Sequence, residues 1–360
     1  MGEIGDYYTF LYLLSECGLV SGILLLSLTQ PVIKVLPINK LFIRRLKIGI
    51  ILTFGIFTAA TLIIYIVRGV PILLVSRADA SLGGSGFGFV TRISQTANLL
   101  FVLFYFAKKK ASLESNSKFE YLMFGITILF NFLSGFKAFF LLYLFGYFVT
   151  HGKPIVMGWK KDFYAIIIGT VIILLLFSLV LQTTNLEEAL LGLFARILSS
   201  GDVYFMAFPN NIIEQLPPQN FIYQLFGSLL ASFRIIDWDQ APLNYGYVIN
   251  AVISGQESSF GPTFRYNVLW YLLTKSIALT TILSFVVGIL IGSLNRSLNR
   301  FSSLNFSFVA IAVIYYSSFV FILSPDAAIS TIFMTLLIGG MIYATIFLLA
   351  PKNRIRKILP

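Results

Sequence analysis

Long apolar runs recur along this chain of 360 residues, and each is long enough to cross a membrane. A hydrocarbon core of about 30 Å needs about 20 consecutive apolar residues in a helix. The sequence is 58% hydrophobic and 11% charged, whereas a soluble domain has about 25% charged residues. Backbone polar groups inside a bilayer must be satisfied internally, so such runs form helices. The sequence therefore predicts an all-α polytopic membrane protein.

The apolar runs predict about nine transmembrane helices in one integral membrane domain, residues 1–360. Two of them form a hairpin over 119–150, because basic clusters flank this segment on both sides and it must therefore cross an even number of times. Each arm, at about 1.5 Å per residue, reaches only about 20 Å. We expect its turn, Ser134-Gly135-Phe136-Lys137, to lie below the outer membrane surface, buried in protein or lining a wet cavity. One long tilted helix is the alternative, but it leaves a lysine cluster on the wrong side. The other predicted helices lie at about 8–29, 48–67, 89–107, 163–181, 268–291, 306–323 and 327–349.

Lysine and arginine collect on one side of this arrangement. With the N-terminus outside, 18 of the 26 lysines and arginines fall in the cytoplasmic connectors, at the ends of the helices beside them and in the tail. Basic residues favour the cytoplasmic side of membrane proteins. The net charge of +11 is therefore an orientation signal, and we do not expect nucleic-acid binding.

Residues 183–267 form the one long segment that is neither a membrane helix nor a short connector, and the orientation makes it a large extracytoplasmic loop. Asn185 is placed to cap a helix with Glu187 and Glu188 in its first turn. Apolar residues follow at helical spacing, which predicts a short amphipathic helix in the outer interface. A second apolar run, 221–233, is too short to span. This loop is predicted to carry the chemistry.

Several catalytic arrangements are excluded by residue type. His151 is the only histidine and falls on the cytoplasmic side, so the loop has no histidine base. Cys17 is the only cysteine, which excludes cysteine-ligated zinc and an intrachain disulfide. Asp237 and Asp239 approach metal-ligand spacing, but Trp238 separates them. We therefore expect neither a metal nor a cofactor.

Cations on the outer side indicate an anionic ligand at the membrane surface. Guanidinium groups bind phosphate through paired hydrogen bonds, and a lipid-linked diphosphate is the anion expected at that depth. The alternatives are snorkelling side chains, favoured for Arg68 and Lys275, and local ion pairs such as Arg234 with Asp237. The predicted diphosphate ligands are Arg77, Lys137, Arg196, Arg234 and Arg265.

Aromatic residues lie between these charges in the loop and are suited to stacking on sugar rings. The predicted sugar-binding residues are Trp238, Tyr245 and Tyr204, with an interfacial aromatic belt as the alternative. Glu16 stands in the middle of the first apolar run. It is interpreted most simply as a hydrogen-bonded helix contact, with a functional role as the alternative.

Several short motifs resemble bacterial oligosaccharide repeat unit polymerases (the O-antigen polymerase, or Wzy-type, family). Gly69-Val-Pro-Ile through Ser76-Arg77, the Gly-rich run after it and Arg92 are similar to one family element. Ser134-Gly-Phe-Lys137 resembles the Ser-Gly-x-basic element between two short helices. Ala195-Arg196-Ile197 and Phe260-Gly-Pro-Thr263 fit the large outer loop. The resemblance covers about 61–325.

The resemblance implies a glycosyltransferase that polymerises undecaprenyl-diphosphate-linked repeat units into O-antigen or capsular polysaccharide. It would act at the periplasmic face of the bacterial inner membrane, among membrane lipids, with chain-length regulator and flippase proteins as further partners. The cations would offset the charge of the leaving diphosphate, and Glu257 or Asp202 would deprotonate the acceptor hydroxyl. An O-antigen ligase is an alternative. Ligases resemble one another in carrying a histidine in the outer loop, and the outer loop of this chain has none. A flippase or transporter for the same lipids and a noncatalytic scaffold are the others.

Overall fold

The computed structural model consists of helices throughout the ranges it describes, in which there is no strand. The described residues are 5–27, 40–71, 88–111, 117–134, 139–151, 171, 185, 187–188, 190–191, 202–216, 220–237, 240–241, 245–255, 265–300 and 306–349. The helices are α1 (Asp6–Ser27), α2 (Lys40–Arg68), α3 (Gly88–Ala111), α4 (Lys118–Leu133), α5 (Phe139–His151), α6 (Asp202–Ala207), α7 (Ile212–Gln215), α8 (Phe221–Ser232), α9 (Tyr245–Ser254), α10 (Tyr266–Thr274), α11 (Ile277–Arg300), α12 (Phe306–Leu323) and α13 (Pro325–Leu349). The predicted all-α class is confirmed.

Five of the described helices are long and apolar enough to cross a membrane. They contain the stretches Asp6–Leu26, Ile43–Arg68, Gly88–Lys110, Ile277–Leu298 and Ala328–Leu349. The chain is therefore a multi-pass membrane protein. The predicted helix at 163–181 lies almost entirely outside the described residues, so the total of nine stays a prediction.

The predicted helix 268–291 is wrong in its bounds, because the structure divides that stretch into α10 and α11. Lys275 adopts a left-handed conformation with φ 49° and stops α10. The Ser276 hydroxyl then accepts a hydrogen bond from the Leu279 N–H at 3.5 Å, in the first turn of α11. A lysine rarely interrupts an apolar helix by its own propensity, and the cause is a partner in another helix, described below.

The chain divides into two compact units. Unit 1 comprises residues 1–34, 191–301 and 310–333, and unit 2 comprises 35–190, 302–309 and 334–360. Helices α12 and α13 contribute to both. The prediction of one integral membrane domain stays a prediction.

In unit 1, α1 and α11 run parallel and pack backbone to backbone. A Cβ on Gly22 would lie 2.8 Å from the Ile289 nitrogen, and one on Gly18 would lie 2.8 Å from the Thr281 oxygen. Only glycine allows such an approach, and small residues spaced by four are the usual means of close helix contact in membranes. The facing motifs are Gly18-x-x-x-Gly22 and Gly288-x-x-x-Gly292.

In unit 2, α2 lies antiparallel to α3. The Thr61 and Ser94 hydroxyls are 2.9 Å apart near one end of the pair, and Gly49 faces the Phe104 ring near the other. The basic residues at the start of α2 therefore lie beside the lysines at the end of α3. Arg45 also covers the Phe347 ring at 4.2 Å, so the end of α13 meets the same end of unit 2. The predicted gathering of basic residues at one end is confirmed for these helices.

The predicted hairpin is present as α4 and α5, which have 16 and 13 residues. Glu120 at the start of α4 forms a buried ion pair with Lys108, and the Thr150 carbonyl near the end of α5 accepts from Lys110. Near the tip, Asn131 accepts a 2.8 Å hydrogen bond from Asn98. Asn98 and Lys108 are separated along α3 by about 15 Å. The hairpin thus follows roughly half of α3, and a single tilted helix is excluded. Residues 135–138 of its turn lie outside the described ranges.

Candidate functional site

Short helices of the predicted loop segment pack around the first half of α1 in unit 1. The Tyr8 ring stacks on Phe208 with centroids 4.7 Å apart, and its hydroxyl donates to Asn211 Oδ1 at 3.0 Å. Tyr12 meets the Tyr204 ring edge-on at 4.7 Å. Asn211 follows Asn210 in the left-handed conformation, which asparagine tolerates better than most residues. The loop segment and α1 therefore share one core.

Polar side chains of α1, α6 and the start of α10 interact around Tyr204 and Asn267, and we name this group the Arg265 cluster. Arg265 stands just before α10 in an extended conformation, and its guanidinium carbon lies 5.4 Å from the Tyr204 ring centroid. A cation over an aromatic face is attracted by the ring quadrupole. The members are Ser15, Glu16, Tyr204, Arg265, Tyr266 and Asn267.

Hydrogen bonds connect the cluster across all three helices. The Tyr204 hydroxyl donates to Asn267 Oδ1 at 2.9 Å, and Asn267 Nδ2 donates to Ser15 Oγ at 3.1 Å. The Tyr266 hydroxyl donates to the Ser15 carbonyl at 3.4 Å and lies within hydrogen-bonding reach of the Glu16 carboxylate. Tyr266 is 0% exposed and Asn267 2%. Such buried, mutually bonded side chains hold a fixed geometry.

The two charges of the cluster differ in sign and interact. The Arg265 charge interacts with the Glu16 carboxylate, while Glu16 Oε1 is buried and accepts no hydrogen bond from a described residue. Burial raises the pKa of Tyr204, an effect that the Arg265 charge partly offsets. Burial, followed by the Glu16 charge, also raises the pKa of Tyr266. Both hydroxyls therefore stay protonated near neutral pH, and the cluster offers a guanidinium, a carboxylate and neutral donors.

Two predicted site residues, Arg265 and Tyr204, are brought together by the structure. Tyr245 lies in the core of unit 1 with 4% of its surface exposed, where burial raises its pKa. Arg234 is exposed in a left-handed turn after α8. The side chains of Arg234 and Asp237 are both described, and they do not form the alternative ion pair. No described contact joins Arg234 to the Arg265 cluster.

The other predicted site residues cannot be placed in the same way. Asp202 is the first residue of α6. Those that lie outside the described residues are Arg77, Lys137, Arg196, Trp238 and Glu257. Their proposed roles stay predictions.

Glu16 and Asn267 are members of the cluster that the sequence did not assign to a site. The sequence pointed to Glu16, because it is the one acidic residue inside the first apolar run and a charge at such a position is costly. Nothing in the sequence pointed to Asn267, since its position beside Ser15 depends on a contact 252 residues away in sequence.

Lys275, which was interpreted as a snorkelling side chain, forms an ion pair with the exposed Glu214. Its Nζ donates to Glu214 Oε2 at 2.6 Å, and the Tyr271 hydroxyl donates to Glu214 Oε1 at 2.9 Å. Partial burial by itself would raise the pKa of Glu214, but the hydrogen bonds from Lys275 and Tyr271 outweigh it and lower the pKa. These contacts hold α7 against α10 and explain why α10 stops at Lys275.

Comparison of the chain with protein-family models, with curated proteins and with solved structures gives no match in any of the three. The described residues also contain no group of three histidine, cysteine or acidic side chains placed to hold a metal ion.

Proposed function

We propose that this protein is a glycosyltransferase that polymerises undecaprenyl-diphosphate-linked oligosaccharide repeat units into O-antigen or capsular polysaccharide. It works at the periplasmic face of the bacterial inner membrane, with about nine membrane helices and one large periplasmic loop of short helices. The observation that carries the proposal is the position of Arg265, whose guanidinium is held against Tyr204 beside a carboxylate and neutral hydroxyl donors.

The direction of the helices in unit 1 supports a periplasmic site. Gly292 near the end of α11 packs against Ile23 and Leu26 near the end of α1, and Arg296 and Arg300 follow in α11. Basic residues mark the cytoplasmic ends of membrane helices. The Arg265 cluster lies toward the other end of the same parallel pair, which is the periplasmic end in this proposal.

The reaction needs an anion-binding group where the leaving group departs. The acceptor hydroxyl attacks the anomeric carbon of the growing glycan, the bond from that carbon to the diphosphate oxygen breaks, and undecaprenyl diphosphate leaves with the electron pair. Arg265 binds the diphosphate and offsets its growing charge, because fixed donors aimed at developing charge lower the barrier. Further diphosphate ligands in this proposal are Arg77, Lys137, Arg196 and Arg234, and the sugar-binding residues are Tyr204, Trp238 and Tyr245.

A glycan ladder tests the proposal in a strain that lacks the native gene. Arg265→Ala should reduce polymerisation by about 10²–10³-fold, the usual effect of removing one such donor, and leave single repeat units on the lipid core. Arg265→Lys keeps the charge but loses the paired hydrogen bonds, so short chains should remain. Arg44→Ala, an exposed arginine at the basic end of α2, serves as the control and should give a normal ladder.

The same experiment identifies the alternatives. Carrier-linked polymer that accumulates without transfer would indicate a ligase, and repeat units trapped on the cytoplasmic side would indicate a flippase. A normal ladder from Arg265→Ala would show that Arg265 does not bind the leaving diphosphate, and the observation that carries the proposal would be lost.

A further inference from the structure

Glu16 lies at the level where α1 exchanges one set of neighbours for another. Before it, Tyr8 and Tyr12 contact residues of the loop segment. After it, Gly18 and Gly22 contact α11. The carboxylate is therefore placed where the α1–α11 pair meets the short helices of the loop segment, the segment that carries the chemistry in the proposed function.

The environment of Glu16 is built, but its carboxylate is only partly satisfied. Tyr266 is within hydrogen-bonding reach and Arg265 supplies a nearby positive charge, yet Oε1 is buried with no donor among the described residues. A buried acceptor without a donor is destabilising, and a helix contact alone does not require a charge. Such an acceptor is suited to a hydroxyl donor that arrives with the substrate.

We propose that Glu16 is a catalytic residue that accepts the proton of the acceptor hydroxyl during polymerisation. This inference rests on the proposed function. As the acceptor oxygen bonds to the anomeric carbon, its proton passes to a Glu16 oxygen, and the carbon–oxygen bond to the diphosphate breaks. Arg265 then faces the leaving diphosphate, so base and anion-binding group stand on neighbouring helices. Glu16 takes the role that sequence analysis gave to Glu257 or Asp202.

The test uses the full-length protein in nanodiscs with an undecaprenyl-diphosphate-linked repeat unit as substrate. Glu16→Gln should lower kcat by about 10²–10⁴-fold, the usual contribution of a general base. The KM for the lipid diphosphate should stay equal or fall, because glutamine leaves the Arg265 charge less offset. A purely structural role would instead weaken binding and thermal stability together with kcat.

Glu214→Gln is the matched control, because Glu214 lies in the same unit and both of its oxygens are bonded to Tyr271 and Lys275. It should keep the wild-type kcat. Glu257→Gln and Asp202→Asn are measured beside it, and a loss of kcat in either one with full activity in Glu16→Gln would overturn the assignment.

Two further results complete the test. A carboxylate base is protonated at acidic pH, so the wild-type rate should fall there. Glu16→Asp keeps a carboxylate one methylene shorter, so it should retain that fall with a lower kcat; a wild-type rate from it would overturn the proposal, even where Glu16→Gln fails to insert. Losses of kcat and thermal stability in step across both Glu16 variants would also overturn it. A wild-type protein that forms no polymer would instead overturn the proposed function, which separates the two failures.

Discussion

Replacing Gly22 by alanine tests the closest contact in unit 1. The new Cβ would lie 2.8 Å from the Ile289 nitrogen and 3.0 Å from the Gly288 carbonyl carbon, with the Phe285 carbonyl oxygen closer still. Ordinary van der Waals contact begins at 3.4 Å, so α1 and α11 must separate locally by at least 3.4 − 2.8 = 0.6 Å. The neighbouring atoms belong to the backbone and cannot rotate aside.

The cost follows from overpacking, which is typically about 1–3 kcal/mol. Alanine also favours a helix over glycine by up to about 1 kcal/mol, so Gly22→Ala must be compared with a glycine that has room. Gly340→Ala in α13 is that control, because a Cβ there meets nothing within 4 Å. The difference between the two variants isolates the clash, and we expect Gly22→Ala to be the less stable by about 1–3 kcal/mol.

Thermal unfolding in detergent, followed by the monodisperse fraction in size-exclusion chromatography, measures this difference. A change of 1 kcal/mol shifts the melting temperature of a 360-residue protein by about 1–2 °C, because the unfolding entropy is about 2.1 cal/mol/K per residue. Gly340→Ala should melt at or slightly above the wild-type temperature, and Gly22→Ala several degrees below it. Equal melting temperatures for the two variants would refute the close packing of α1 on α11.

Two further predictions concern ion pairs. Lys108→Met leaves the buried Glu120 without its partner and should lower the free energy of unfolding by about 3–5 kcal/mol. Combining Lys108→Met with Glu120→Leu should recover most of that loss. Denaturant titration measures both variants, and an unchanged free energy of unfolding in the single variant would contradict the burial of the pair. Hydrogen bonds to Glu214 lower its pKa below the ordinary value of 4.5. The stabilising contribution of Glu214 is therefore complete above pH 4.5 and is lost as the pH falls through the lower pKa of the folded state. Melting temperatures between about pH 6 and 3 should therefore fall more steeply for wild type than for Glu214→Gln, and parallel curves would show that Glu214 does not contribute.

Length and hydropathy alone predicted the helical class, because the bilayer fixes how many apolar residues a membrane helix needs. The hairpin of α4 and α5 followed from the basic clusters on both sides of it, since a segment flanked in this way must return to the side where it began. The cap at Asn185 was also readable, and its side chain accepts from the Glu187 N–H at 3.0 Å.

The tertiary structure decided which charges meet. The break at Lys275 depends on Glu214, 61 residues earlier, and the Arg265 cluster joins α1 to helices more than 180 residues later. Apolar runs and helix caps are properties of neighbouring residues, so the sequence determined the helices and the arginines available for a site. Contacts between distant residues arise only when helices pack, so only the fold placed Glu16 beside Arg265 and Tyr204.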